Sequence, residues 1–305
     1  METREQIAAQ LQTVRDYLRW GMSQLQRAGV CFGHGTDNAF DEVLALLLHQ
    51  LQLPHEQWRE LLDARLTTAE RLGVLQALEA RYRSRVPLPY ITGETWFAGL
   101  PFQVDERVLI PRSPIAELIE ACFEPWLGGR YPQRVLDLCT GGGCIGIACA
   151  VYLEEAEVVL SDISADALAV AQDNIRRHAL EERVRAVRSD LFAGLAGETF
   201  DLIVSNPPYV DARDMAELPA EYRHEPELAL AAGADGLDIA RRILREAAAH
   251  LSDDGVLIVE VGNSWVALEE AYPSVPFLWL EFERGGHGVF LLTRKQLQDH
   301  AAAFA

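Results

Sequence analysis

From residue 113 onward the sequence repeats one pattern, a short apolar run, a turn and then an amphipathic stretch. That alternation restricts the possible fold more than any other feature of the chain. Strand-like runs fall at 134–139 (RVLDLC), 157–161 (EVVLS), 184–188 (VRAVR), 200–205 (FDLIVS) and 255–261 (GVLIVEV). Helical stretches at about 114–124, 144–153, 165–179, 237–251 and 264–271 precede, separate or follow them. Strands that alternate with helices are joined by crossovers, so they pair in parallel and helices cover both faces of the sheet. The last two runs, 277–283 (FLWLEFE) and 288–292 (GVFLL), are joined only by Arg284-Gly285-Gly286-His287. So short a connection makes an antiparallel hairpin.

The N-terminal stretch, 1–86, reads as a separate helical domain. Ile7, Leu11, Val14, Leu18, Met22 and Leu25 recur in alternating four- and three-residue steps, which predicts one amphipathic face across that span. Phe40, Val43, Leu44, Leu47, Leu48 and Leu51 define a second, with Asp37 or Asn38 as its expected cap. Further helices are predicted at 55–63 and 68–84, and Pro87 and Pro89 end the helical region. Residues 87–112 turn aromatic and β-branched, broken by Gly93, Gly99 and Pro101, and read as a β-hairpin linker. The α/β domain then spans 113–305.

Composition excludes several classes. With 49% hydrophobic and 24% charged residues, the 305-residue chain is globular rather than disordered or fibrous, and long enough for two domains. Its formal charge is −19, which repels phosphate backbones, so bare nucleic acid is a poor expected partner and a basic protein a better one. The opening METREQIAAQLQ is polar, so no secretory leader is expected, and no run is apolar enough for a membrane span. Cys31, Cys122, Cys139, Cys144 and Cys149 contain no CxxC pair and read as reduced thiols of a cytoplasmic protein. The regular spacing of Cys139, Cys144 and Cys149 falls in apolar sequence, which points to small buried residues rather than a metal site.

Four motifs carry chemistry. In Asp137-Leu138-Cys139-Thr140-Gly141-Gly142-Gly143-Cys144-Ile145-Gly146, the glycines at 141, 143 and 146 fit GxGxxG between a strand and a helix. Such a turn lets a ligand approach the backbone at a helix N-terminus, and it suits nicotinamide, flavin and S-adenosylmethionine alike. Asp162, beside Ile163 at the end of the next strand, is placed to accept both ribose hydroxyls; Ser164 is the better helix cap by position. Asp190, followed by Leu191 and Phe192 after the third strand, is a candidate acceptor for an adenine amine or an ordinary strand-end turn. The fourth, Ser205-Asn206-Pro207-Pro208-Tyr209, follows the fourth strand at the sheet edge where open α/β folds bind ligands. Its prolines remove two N–H donors and stiffen the turn. The Asn206 carbonyl and neighbouring backbone oxygens can then grip a planar NH₂ by both hydrogens, with Tyr209 packed on its flat face.

These motifs in this order, with the antiparallel pair at the end, resemble the class I amino-group methyltransferases, which have a Rossmann-like sheet. The Asn-Pro-Pro-Tyr form is shared by enzymes acting on exocyclic amines of DNA bases and on glutamine side-chain amides of proteins. Gly33-His34-Gly35-Thr36-Asp37-Asn38-Ala39-Phe40-Asp41-Glu42, Gly93-Glu94-Thr95-Trp96-Phe97, Val108-Leu109-Ile110-Pro111-Arg112-Ser113-Pro114 and Glu221-Tyr222-Arg223-His224-Glu225-Pro226-Glu227-Leu228 are similar to the protein glutamine methyltransferase family. They look most like its branch acting on the third protein of the large ribosomal subunit. Leu191 and Ser113-Pro114 depart from the release-factor branch.

The resemblance implies methyl transfer from S-adenosylmethionine to a glutamine amide nitrogen, leaving S-adenosylhomocysteine and needing no metal. It implies cofactor contacts from Asp137, Cys139, Thr140, Gly141, Gly142, Gly143, Asp162, Ile163, Asp190, Leu191 and Asn206, and amide contacts from Asn206, Pro207, Pro208 and Tyr209. Arg112 and Glu117 are further candidates to border the cofactor, and the helical domain is the expected substrate-recognition part. The expected partner is a basic ribosomal protein, free or in an assembly intermediate, and not DNA. Release-factor methylation, DNA amine methylation and a non-enzymatic ribosome-assembly scaffold are the alternatives. The charge is uneven: residues 1–100 carry a net −2 and 101–305 a net −17, with −6 concentrated in 206–238 beside the Asn-Pro-Pro-Tyr motif.

Overall fold

The structure, a computed structural model, describes residues 2–305. The chain divides into two compact units, one formed by residues up to Glu94 together with Pro219–His224, the other by Thr95–Leu218 and Glu225–Ala305.

The first unit is helical: α1 (Arg4–Gln10), α2 (Val14–Ala28), α3 (Ala39–Leu51), α4 (Trp58–Leu61), α5 (Thr68–Tyr82) and α6 (Leu88–Thr92). The apolar face predicted across Ile7 to Leu25 is carried by two helices rather than one. Thr13 forms a capping box with Asp16, whose carboxylate also accepts from Gln12 N, so local side chains outcompete helix continuation at this point. Asn38 caps α3, accepting from Phe40 N and Asp41 N. Tyr17, Leu25, Val43, Leu47, Leu75 and Leu78 form the sealed centre of this unit.

A buried ion cluster lies beside that centre. Arg81, 1% exposed, pairs with Glu42 and with Glu221, and donates to the Cys31 carbonyl at 2.7 Å. Glu221 also accepts from Arg85 at 2.9 Å and from Cys31 N at 3.0 Å. Two strings that carried the family resemblance, 33–42 and the start of 221–228, thus meet in one unit. Tyr222 adds a ring contact with His34 at 4.5 Å.

The second unit opens with a tight hairpin, β1 (Glu94–Phe97) and β2 (Leu100–Gln103). The linker predicted over 87–112 is therefore a hairpin only at 94–103, preceded by α6 and followed by irregular chain to 114. The remaining elements are α7 (Ile115–Glu120), β3 (Arg134–Leu138), α8 (Cys144–Tyr152), β4 (Glu157–Asp162), α9 (Ala165–Arg177), β5 (Val184–Arg188), β6 (Phe200–Ser205), α10 (Ala212–Glu217), α11 (Asp238–Glu246), β7 (Leu251–Glu260), α12 (Trp265–Ala271), β8 (Leu278–Trp279), β9 (Val289–Thr293) and α13 (Arg294–Asp299).

The sheet order is β5-β4-β3-β6-β7-β9-β8. All neighbours from β5 to β7 are parallel, and β9 joins β7 and β8 antiparallel. Alternation along each strand feeds two cores: Val135, Leu202, Val204, Val256 and Ile258 face one, Leu136, Ile203, Leu257 and Val259 the other. Helices α7, α8 and α9 contribute to the first core, and α11, α12 and α13 to the second. The strand predicted at 277–283 is a strand only over Leu278–Trp279, with one further bond from Leu280 N to the Val289 carbonyl; past it the Glu283 and Arg284 amides donate to the Glu117 carboxylate.

Candidate active site

The chain runs β3 to β4 to β5 in one direction across the sheet, then crosses back to place β6 on the other side of β3. Ligands of open α/β sheets bind at that reversal, beyond the carboxyl ends of the two strands. Leu138 and Ser205 are in register there, and Ser205 Oγ donates to the Leu138 carbonyl at 2.6 Å. The glycine loop and the Asn-Pro-Pro-Tyr turn therefore leave the sheet side by side. A cavity of about 250 Å³ opens above them.

Cys139, Thr140, Gly141, Gly142, Asp162, Ile163, Asp190, Leu191, Asn206 and Pro208 all line this cavity. Asp137, Gly143, Pro207 and Tyr209 do not; Tyr209 instead lays its ring against Gly262 and donates its phenol to Glu260. Asp137 is fully buried beneath the loop, where one oxygen accepts from Thr140 Oγ1 at 2.5 Å and Gly146 N at 2.8 Å. Its other oxygen has no partner among the described residues. Burial pushes its carboxyl up to about 7, against the two hydrogen bonds that favour the charged form. Asp137 thus shapes the loop from behind. Gly143 is the cap of α8 at φ +85°, and an added Cβ would stand 3.0 Å from Ile147 and 3.1 Å from Leu160; it serves the turn. Pro207 is buried.

Asp162 ties the cradle together. One oxygen accepts from Gly141 N at 2.9 Å and the other from Ser164 N at 2.8 Å. Burial raises its carboxyl while those amides oppose the rise. Ser164 caps α9 as the sequence suggested, accepting from Ala167 N. Each Asp162 oxygen keeps further acceptor capacity toward the cavity. At the next strand end, Leu191 adopts φ +48° and is buried, supported by Ser189 Oγ donating to its carbonyl at 2.6 Å. Asp190 is half exposed and paired with Arg242 at 2.9 Å. Cys139 and Cys144 also line the cavity, and burial pushes both thiols far up, so neither serves as a thiolate nucleophile.

The anchors of the front wall were missed from sequence. Arg112 does line the cavity, but its guanidinium is gripped bidentately by Glu225, at 2.6 and 2.7 Å, and Ile110 N donates to the same carboxylate. Glu117 is not at the cavity; it holds the 283–284 turn. Glu260 ends β7, 4% exposed, between Tyr209 Oη at 3.0 Å and Ser113 Oγ at 2.6 Å. One signal could have found it: an acid closing the otherwise apolar run Gly255 to Val261. Glu225 carried no such signal within an acid-rich stretch.

Comparison with known proteins agrees with this geometry. Residues 123–221 match the family model described as Methyltransferase small domain. The chain is 50% identical over 304 residues to a ribosomal protein uL3 glutamine methyltransferase of Francisella tularensis subsp. tularensis, covering 99% of this chain and 97% of that one. It is 52% identical over 296 residues to the enzyme of the same name from Xanthomonas campestris pv. campestris, covering 97% and 96%. The chain belongs to the ribosomal protein uL3 glutamine methyltransferase family. Members of this family are protein glutamine methyltransferases, and the chain is accordingly a methyltransferase that uses S-adenosylmethionine. The fold is shared more widely: the hMettl16 catalytic domain in complex with MAT2A 3'UTR hairpin 6 superposes with a TM-score of 0.51 at 16% identity, over 74% of this chain and 81% of that one. That likeness confirms the class I sheet. Among the described residues no helix is long and apolar enough to cross a membrane.

Proposed function

We propose that this chain methylates the side-chain amide nitrogen of one glutamine in ribosomal protein uL3. The observation that carries the reading is the pairing of loops at the β3–β6 reversal, which sets Asn206 and Pro208 across one cavity from Gly141, Gly142 and Asp162. The names of the two relatives support the substrate.

The cavity residues fit the cofactor. Gly141 and Gly142 offer backbone without side chains, Asp162 and Asp190 stand at the ends of successive strands, and Ile163 and Leu191 provide apolar surface. In this reading the glycine backbone holds the methionine end, Asp162 the ribose, and Asp190 with Leu191 the adenine. Asp137 acts on this cradle through the loop it braces. The bound cofactor supplies a methyl on a sulfonium, a leaving group good enough that no metal is needed.

Asn206 and the carbonyls of the proline-stiffened turn accept both hydrogens of the substrate amide. Tyr209 limits its rotation, so the nitrogen faces the methyl. As that nitrogen loses planarity its hydrogens become stronger donors, and the same bonds tighten in the transition state. Alignment of this kind supplies up to about 7–11 kcal/mol of the barrier. The acidic stretch 206–238 draws a basic segment of uL3, free or in an assembly intermediate, and the helical unit recognises the rest of that protein.

Mass spectrometry of ribosomal proteins from cells lacking this chain tests the proposal. The expected result is the loss of one methyl mass from one uL3 glutamine. Unchanged uL3 with a methyl lost from a release factor would move the assignment to the sister branch.

A further inference from the structure

Tyr209 is held by its ring, its carbonyl and its phenol. An added Cβ on Gly262, at φ +45°, would lie 2.6 Å from the Tyr209 ring, so only glycine lets the ring lie there. Ser264 Oγ donates to the Tyr209 carbonyl at 2.9 Å. The phenol donates to Glu260 Oε1 at 3.0 Å, and the second carboxylate oxygen accepts from Ser113 Oγ at 2.6 Å. Ser113 in turn lines the cavity.

Glu260 follows a buried apolar run, Val256 to Val259, and Val259 and Val261 on either side of it are both at 0% exposure. A buried carboxylate costs several kcal/mol unless its bonds repay it, and an apolar residue of similar size is often as stable. The two hydrogen bonds described for this carboxylate lead only to a cavity serine and to the motif tyrosine. Stability alone does not account for that choice.

We propose that Glu260 is a positioning residue for methyl transfer, fixing the Tyr209 ring through the phenol and linking it to Ser113 at the cavity wall. The inference rests on the amide-binding reading of the Asn-Pro-Pro-Tyr turn. Ionised, the carboxylate accepts both hydroxyl protons; protonation of one oxygen turns it into a donor and weakens it as an acceptor, which loosens one of the two bonds. Burial pushes its carboxyl up to about 7, while Ser113, Tyr209 and the nearby Arg112 charge favour the ionised form; the Cys144 thiol, itself pushed up by burial, adds no charge beside it. Methyl transfer therefore has an acid limb in kcat set by Glu260.

The test uses the full chain, labelled S-adenosylmethionine and purified uL3. Glu260→Gln and Tyr209→Phe are each expected to lower kcat about tenfold, within the range measured for residues in contact. Cofactor affinity by calorimetry stays the same. The double variant is expected to be no slower than Tyr209→Phe, because Glu260 acts through that ring. Ser113→Ala removes a bond that favours the charged form, so the acid limb moves to higher pH. Losses that multiply in the double variant, or a fall in cofactor affinity with kcat intact, overturn the proposal. If Glu260→Gln does not fold, an unmoved acid limb in Ser113→Ala overturns it equally. Failure of the wild-type chain to methylate uL3 would instead strike the functional reading itself, and this inference with it.

Discussion

Asn206 and Asp162 divide the proposed work between acceptor and cofactor, and single substitutions separate them. Asn206→Ala removes the acceptor proposed for the substrate amide but leaves the glycine cradle untouched. Methyl transfer should fall by about two orders of magnitude, comparable to loss of one preorganised hydrogen-bonding group in other active sites, with cofactor affinity by calorimetry nearly intact. Asp162→Ala should do the reverse, weakening cofactor binding, because it releases both Gly141 N and Ser164 N and removes the acceptor proposed for the ribose hydroxyls. Asp137 gives a pH signature at the same scale. Its carboxyl is pushed up to about 7 by burial, so the folded chain keeps a proton that the unfolded chain has released. Stability therefore declines as pH rises from about 4 to about 7. Thermal melting of Asp137→Asn should show a smaller decline across that window than the wild type, and equal declines would contradict it.

At the scale of elements, α8 and the ion cluster of the helical unit are the parts most sensitive to small changes. A Cβ at Gly146 would stand 2.2 Å from Leu160 and 2.8 Å from Asp137, so α8 could no longer lie as close to β3 and β4. Gly146→Ala should destabilise the chain by about 1–3 kcal/mol in denaturant melts, as overpacking does. Glu221→Ala removes one of the two carboxylates that pair with Arg81, 1% exposed, and leaves the Glu42 pair in place, so it should cost about 1–3 kcal/mol. The elements differ in how much of them could be read beforehand. Residues 200–205 and 184–188 form strands with the bounds read from their apolar and β-branched runs, since short runs of this kind between turns are written in the residues themselves. The break between α1 and α2 went unread, because the apolar steps continue through it and only Thr13 and Asp16 announce the cap. The strand predicted at 277–283 was too long, because the rival acceptor for its final amides, Glu117, lies far away in sequence.

At the scale of the molecule, the uneven charge becomes a statement about substrate. The proposed uL3 segment is drawn to an acidic stretch, so kcat/KM should fall as salt is added and screening shortens the field to about 8 Å near physiological ionic strength. A salt-independent rate would remove attraction from the account. The alternation of strands with helices, the four motifs and their placement at strand ends were determined by sequence alone, because each depends on residues adjacent along the chain; the short helices α6, α10 and α13 were not read. The tertiary structure alone decided which motif side chains face the cavity. It turned Asp137 inward beneath the loop and set Tyr209 between Gly262 and Glu260. It also brought Glu225 to Arg112 across more than a hundred residues. Local pattern specifies what a segment becomes, but the direction of a side chain depends on partners that only folding brings within hydrogen-bonding reach.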